Sequence, residues 1–199
     1  MLQTLAIANY RSLRELTVPL GRLNVITGAN GSGKSNLYRA LRLLGETALG
    51  GAVAGIAREG GLPSVLWAGP ETISKSVRRG EHPVQGGPRR EPVSLRMGFA
   101  GEELGYAIDF GLPVPPAGAF DRDPEIKGET IWHGPVLHRV NAVVERRGGV
   151  VSSRGERGAW EAIAQHVPGF DSMLTHVADP QRAPEVLLLR ESIRSWREG

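Results

Sequence analysis

The sequence predicts an α/β fold in which a strand, a glycine-rich loop and a helix are followed by a layer of antiparallel strands. Residues 23–27 (LNVIT) form a short apolar run with β-branched side chains, which predicts a buried strand. After the glycines, apolar residues recur at i, i+3, i+4 and i+7, the spacing of a helix with one buried face: Leu37, Ala40, Leu41 and Leu44. From Val93 the apolar period changes to two, which is typical of strands with one buried face.

The glycine-rich loop between the predicted strand and helix is a phosphate-binding motif. Residues 28–35 (GANGSGKS) fit G-x-x-x-x-G-K-[ST] at every required position. Glycines let backbone N–H groups converge on phosphate oxygens, and the following helix N-terminus adds unpaired N–H groups. Lys34 is predicted to bridge the β- and γ-phosphates of ATP, and Ser35 to place its hydroxyl on Mg²⁺. The predicted nucleotide-binding residues of this P-loop are Gly28, Ala29, Asn30, Gly31, Ser32, Gly33, Lys34, Ser35 and Asn36.

The sequences of two segments resemble those of one branch of the P-loop proteins. Residues 28–36 (GANGSGKSN) resemble the P-loop of the RecF, SMC and OLD-type branch of ABC-like ATPases, and residues 7–13 (IANYRSL) resemble the opening of those proteins. Weaker likenesses to a group of bacterial predicted ATPases of this branch extend over most of the chain. The resemblance implies a P-loop NTPase lobe with an antiparallel β-subdomain, and it implies that Arg11 and Ser12 lie beside the bound nucleotide. The alternative for Arg11 and Ser12 is that they belong to a polar turn without a role in binding. For Tyr10, burial of the aromatic ring is favoured over stacking on adenine.

Composition and length limit the number of domains, the cellular location and the partners that can be expected. The chain has 199 residues, 40% of them hydrophobic and 23% charged, which suits one globular domain. It contains no Cys, no secretory signal and no run long enough to span a membrane, so the expectation is a cytoplasmic protein. The net charge of +3 does not by itself indicate nucleic acid. Solvated turns are favoured over phosphate contacts for three arginine pairs: Arg78 and Arg79, Arg89 and Arg90, and Arg146 and Arg147.

Periodicity and turn residues divide the chain into four parts of one domain. These are a P-loop core (1–69), a surface loop (70–92), an antiparallel meander (93–153) and a helical segment (154–199). Strands are predicted at 2–7, 13–20, 93–99, 104–110, 126–133, 137–146 and 150–153, helices at 52–58, 159–166 and 182–197, and an extended segment at 62–68. In the last helix Leu188, Ile193 and Trp196 are predicted to face a core.

The acidic residue that would complete catalysis is not identified by the sequence. ATPases of the resembled branch need a strand ending in Asp-Glu, which completes the Mg²⁺ site and polarises water. The apolar run 186–189 is followed by Arg190 and Glu191 instead, and Asp109 ends a strand that fits the meander better. No signature motif is found either. Hydrolysis is therefore expected to need the Asp-Glu strand end and the signature motif from a longer gene product or a second chain. The resemblance also implies a second copy of the chain, in a homodimer, and DNA as partners.

Two other functions are open at this stage. A non-hydrolysing, nucleotide-gated binding module in DNA repair or defence fits the literal sequence. A small P-loop kinase would need an Arg-rich lid, which the 70–92 loop could supply, but Asn36 and the meander fit it poorly. Gln85 is interpreted as an exposed loop residue. Metal sites at Asp121, Asp123 and Glu125, or at His133 and His138, lack the required ligand patterns.

Overall fold

The computed structural model describes residues 1–69, 94–113, 124–155 and 157–196. The surface loop predicted at 70–92, including Gln85 and two of the arginine pairs, lies outside these ranges, as do Asp121 and Asp123. Within the described ranges, no helix combines the length and the hydropathy needed to cross a membrane.

In the described residues, eight strands form a single antiparallel sheet. In chain order they are β1 (Leu2–Tyr10), β2 (Leu13–Pro19), β3 (Leu95–Gly101), β4 (Leu104–Gly111), β5 (Glu125–His133), β6 (Ala142–Arg147), β7 (Val150–Arg154) and β8 (Trp160–Ala164). Their spatial order is β2-β1-β3-β4-β5-β6-β7-β8, and each strand is antiparallel to its neighbours. The α/β class, the two N-terminal strands and the meander are thus confirmed. The division of the chain into four parts stays a prediction.

Helices cover one face of this sheet. They are α1 (Lys34–Thr47), α2 (Ala52–Arg58), α3 (Leu62–Val65), α4 (Met173–His176) and α5 (Pro184–Arg194). The predicted apolar face of α1 is confirmed, because Leu37, Ala40 and Leu44 are buried in the cluster that also holds Leu5 and Ile7 of β1. Leu41 is partly buried at its edge. The P-loop helix is therefore packed directly on the sheet.

Two segments take a structure different from the predicted one. The sequence predicts a helix at 159–166, but 160–164 form the edge strand β8, whose Glu161 lies opposite Ser153 of β7. The backbone partners offered by β7 override a helix propensity worth only a few tenths of a kcal/mol per residue, in the range ~0–0.7 kcal/mol. Residues 62–68 were predicted to be extended, but Leu62–Val65 form α3, and Leu66 alone bridges to Tyr10.

Two further details of the predicted elements are also wrong. The strand predicted at 137–146 begins only at Ala142, because Asn141 closes a turn: its amide donates to the carbonyls of His133 (2.6 Å) and Val136 (2.9 Å). Leu188 does not face a core and is 61% exposed. The buried stripe of α5 runs through Val186, Leu189 and Ile193 at i, i+3 and i+7, and Leu188 lies off it. Ile193 is buried and Trp196 packs edge-on against Phe99, as predicted.

A buried ion pair fastens α4 to the sheet. Arg146 and Glu129 both have fully buried side chains, and Nη1 of Arg146 lies 3.0 Å from Oε2 of Glu129. Arg146 also donates to the carbonyls of Gly148, Pro168 and Asp171. The prediction that Arg146 and Arg147 are both solvated is therefore wrong for Arg146, whereas Arg147 is exposed. Alternation in β6 directs residue 146 inward, and Glu129 on the facing strand supplies its charge partner.

The same carboxylate receives hydrogen bonds from three other groups. The Tyr106 hydroxyl donates to Glu129 Oε1 at 2.6 Å, the Ser172 hydroxyl donates to the same oxygen, and the backbone N–H of Met173 donates to Oε2 at 2.8 Å. Ser172 is also the N-cap of α4 and accepts from Leu174. Burial, with the Glu129 charge, raises the pKa of Tyr106 well above its ordinary value. This network joins the sheet to the C-terminal helices.

Candidate nucleotide-binding site

The P-loop enters α1 through a left-handed glycine. Gly33 is the N-cap of α1 with φ of 96°, and Gly31 has φ of 81°, a region that residues with a Cβ rarely occupy. A Cβ on Gly33 would lie 2.6 Å from the Ser12 hydroxyl oxygen, whereas one on Gly31 would meet nothing within 4 Å. Gly33 is therefore required twice, for its backbone angle and for the close approach of Ser12.

Lys34 and Ser35 begin the helix at the end of the loop. The ammonium group of Lys34 donates to the carbonyl oxygens of Gly28 (2.6 Å) and Ala29 (2.8 Å), so it lies against the first residues of the loop. Ser35 is exposed in the first turn of α1, which contains no acidic residue and has no side-chain cap. The positive end of this helix and its free N–H groups are thus open to an anion such as a nucleotide phosphate. Ser35 is the residue that could hold Mg²⁺.

The turn between β1 and β2 packs on the P-loop through Ser12. The side-chain amide of Asn36 donates to the Ser12 hydroxyl at 2.9 Å, so two predicted site residues from distant parts of the sequence are in contact. The turn is fixed by backbone hydrogen bonds from Arg11 to Val65 (2.7 Å) and from Trp67 to Asn9 (3.0 Å). Asn9 and Arg11 both have positive φ, at 64° and 49°. Such strained backbone angles cluster at functional sites.

Arg11 is held by a residue that the sequence did not point to. Its Nε and Nη2 donate to Oε2 of Glu59 at 3.0 and 2.5 Å, and both side chains are about a quarter exposed. Glu59 is the C-cap residue of α2. The signal that could have found it is an acid at the end of a predicted helix, where the helix dipole disfavours negative charge. Such a position indicates a specific cationic partner.

Tyr10 is buried, as predicted, and belongs to the same group of side chains. Its hydroxyl donates to both carboxylate oxygens of Glu59, at 3.3 and 3.1 Å. Burial is the main reason that the pKa of Tyr10 rises from 10.0 to about 12, and the neighbouring Glu59 charge also raises it.

The raised pKa of Tyr10 predicts a loss of stability at alkaline pH. The folded state holds the phenolic proton more tightly than the unfolded state does, so this contribution is complete below pH 10 and is lost as the pH rises towards about 12. We expect the free energy of unfolding of the wild type to fall more steeply over this range than that of Tyr10→Phe, which cannot ionise. Urea unfolding at several pH values measures both slopes, and equal slopes would contradict the prediction.

The segment before the P-loop is not the buried strand that the sequence predicts. Leu23, Val25 and Ile26 are 85%, 78% and 52% exposed, and residues 23–27 pair with no strand among the described residues. An apolar β-branched run becomes a strand only beside a partner that takes its backbone hydrogen bonds. Both edges of β1 are already occupied by β2 and β3, so the sheet offers residues 23–27 no adjacent place there.

Asp109, the one acid considered for a catalytic role, lies on the other face of the sheet. Its neighbours Ile108 and Phe110 point into the core, and Asp109 borders the face that the described residues leave uncovered, together with Ala8, Arg96 and Gly98. Burial raises the pKa of its carboxyl group. Within the described residues, no group of three or more His, Asp and Glu side chains could hold a metal ion. The structure thus brings together the P-loop and the 9–12 turn, without an acid from the meander.

Two comparisons with known proteins match part of the chain. A family model described as an AAA ATPase domain matches residues 1–53. The OLD nuclease of Thermus scotoductus is 43% identical over 44 residues, which are 22% of this chain and 8% of that nuclease. The chain therefore covers a small part of that relative. Both matches confirm the resemblance predicted from residues 7–13 and 28–36: residues 1–53 are similar to an AAA ATPase domain, and a stretch of 44 residues is similar to part of an OLD nuclease.

Proposed function

We propose that the chain binds ATP with Mg²⁺ and forms the nucleotide-binding part of an ABC-like ATPase of the RecF, SMC and OLD-type branch. The observation that carries the proposal is the seating of Ser12 against Gly33 and Asn36, which joins the two segments of the resemblance into one site at the start of α1. In this proposal the P-loop N–H groups and Lys34 hold the phosphates, and the Ser35 hydroxyl holds Mg²⁺.

Hydrolysis in this proposal needs groups from outside the described residues. The P-loop and the 9–12 turn supply donors for phosphate but no carboxylate to activate water. The exposed run 23–27 supports this view, because an apolar strand-forming segment with free backbone groups suits addition to another sheet. That sheet would come from a longer gene product or from a second chain, including a second copy in a homodimer.

The function is tested first by titrating the whole chain with a fluorescent ATP analogue and Mg²⁺, followed by phosphate release from the same sample. We expect binding without turnover. Lys34→Ala is expected to weaken binding by about 10- to 100-fold, since one charge-assisted interaction with phosphate is worth ~1.5–3 kcal/mol. Arg139→Ala, which removes an exposed charge from the turn before β6, is the control. Unchanged affinity in Lys34→Ala would overturn the proposal, and Lys34-dependent turnover would mean that the chain itself supplies the acid that activates water.

DNA is a second partner expected from the resemblance. Because contacts with DNA phosphates release counterions, binding would weaken as salt is raised. Measuring DNA affinity at several salt concentrations, with and without ATP, tests this expectation and also the alternative of a nucleotide-gated, non-hydrolysing module.

A further inference from the structure

The Arg11 guanidinium is bound along one edge only. Nε and Nη2 of Arg11 both donate to one carboxylate oxygen of Glu59, and Nη1 donates no hydrogen bond within the described parts of the chain. A guanidinium carries five N–H donors in a fixed plane, so holding one edge fixes the direction of the others. Glu59 therefore sets the orientation in which the free donors of Arg11 are presented.

The carboxylate of Glu59 is itself held in place. Tyr10 donates to both of its oxygens, and the Arg11 guanidinium lies 5.9 Å from the centre of the Tyr10 ring. Glu59 ends α2, where the exposed carbonyls disfavour a negative charge, and Arg11 has a left-handed backbone that a side chain normally avoids. Locally unfavourable features of this kind are found at functional sites, which makes the pair of Arg11 and Glu59 a candidate for a role in binding.

Arg11 lines a cleft that begins one helical turn beyond the Mg²⁺ residue of the P-loop. Ser35, Arg39, Arg42 and Glu46 lie at i, i+4, i+7 and i+11, which places them along one face of α1. The cleft, with a volume of about 300 Å³, lies between this face and α2, and its charged lining contains four arginines and two glutamates. Its excess of positive charge favours an anion close to Ser35 and Arg11.

We propose that Glu59 is a positioning residue for nucleotide binding: it fixes Arg11 so that the free guanidinium donors are ready for a phosphate group. This inference rests on the proposed function. Without Glu59 the long side chain of Arg11 would be ordered only when the nucleotide binds, and that ordering lowers affinity. At this partly exposed site, solvent screens the repulsion between Glu59 and the ligand, so the loss of orientation outweighs the loss of a negative charge.

The test compares four single variants and one double variant of the full chain by titration with the fluorescent ATP analogue and Mg²⁺. Glu59→Ala is expected to weaken binding by about 2- to 10-fold, the cost of immobilising one long side chain. Arg11→Ala is expected to weaken it at least as much. The double variant should bind no more weakly than Arg11→Ala, because Glu59 acts only through Arg11.

Glu46→Gln is the matched control for charge. Glu46 lies in the same cleft and accepts from Arg42 and Arg58, but has no hydrogen bond to Arg11, so its affinity change reports the loss of a negative charge without the release of Arg11. Thermal unfolding of each variant separates orientation from general destabilisation. Tighter binding by Glu59→Ala, or equal changes in Glu59→Ala and Glu46→Gln, would overturn the inference, as would additive losses in the double variant.

Lys34→Ala in the same series separates this inference from the proposed function. If the wild type binds the nucleotide and Lys34→Ala does not, while Glu59→Ala binds like the wild type, the proposed function holds and the role of Glu59 is wrong. If the wild type shows no Lys34-dependent binding, the proposed function fails and the inference fails with it.

Discussion

Glu129→Ala is expected to destabilise the protein by about 3–5 kcal/mol, because it leaves the charge of Arg146 buried without a partner. A typical domain has a total stability of only about 5–15 kcal/mol, so this variant is expected to be near its unfolding threshold. The loss includes the hydrogen bonds that Tyr106, Ser172 and Met173 donate to the carboxylate. Urea unfolding monitored by circular dichroism gives the difference in free energy directly.

The neighbouring pair of Glu145 and Arg147 provides a matched control. It has a similar N–O distance of 2.9 Å, but the Arg147 side chain is 85% exposed, so Glu145→Ala should cost less than about 1 kcal/mol. Replacing both buried partners, as Glu129→Leu with Arg146→Met, should recover much of the stability lost in Glu129→Ala, since no buried charge then remains. Equal losses in Glu129→Ala and Glu145→Ala would show that burial of the pair does not determine its contribution.

Gly33→Ala is expected to reduce nucleotide affinity more than Gly31→Ala does. Both substitutions place a Cβ at positive φ, which costs roughly 1–2 kcal/mol, and a loop that relaxes from this strain leaves its binding conformation. Gly31→Ala meets open space, so its affinity loss should be about 5- to 30-fold. Gly33→Ala adds a contact with Ser12 that is too short for any real Cβ. Titration with the ATP analogue and Mg²⁺ measures both losses.

Ser12→Gly tests the reason for the difference. The single variant Ser12→Gly removes the hydrogen bond from Asn36, and we expect it to make the free energy of nucleotide binding less favourable by about 1 kcal/mol. Combined with Gly33→Ala it also removes the steric conflict, so the losses of the double variant should be less than additive. Additive losses would mean that Ser12 does not confine Gly33. The P-loop would then hold its binding conformation without the contact from Ser12.

Local patterns in the sequence predicted those parts of the fold that depend on near neighbours. The helix after the P-loop, the hairpin of β3 and β4, and the left-handed glycines follow from spacing and residue type within a few positions. The resemblance implies that Ser12 lies beside the nucleotide, and so links two distant segments as periodicity cannot, but the contact of Ser12 with Asn36 is known only from the structure.

The features that the sequence did not predict depend on partners far along the chain. Residues 160–164 are a strand because β7 offers a free edge, whereas residues 23–27 find no place beside β1, whose two sides are taken by β2 and β3. Arg146 is buried because Glu129 faces it, and Glu59 matters because it meets Arg11 across 48 positions. A single sequence shows the charge of each residue but not its partner.

The order of strands also determines how chain entropy is lost when this protein folds. Six of the seven pairings join strands that are consecutive in the sequence, and only the pairing of β1 with β3 spans a long interval. Short connections close rapidly and at small entropic cost, whereas the β1–β3 contact must close a loop that contains α1, α2 and α3. The segment that carries the phosphate-binding residues thus lies within the one long-range loop of the sheet, so its assembly depends on the slowest contact of the topology.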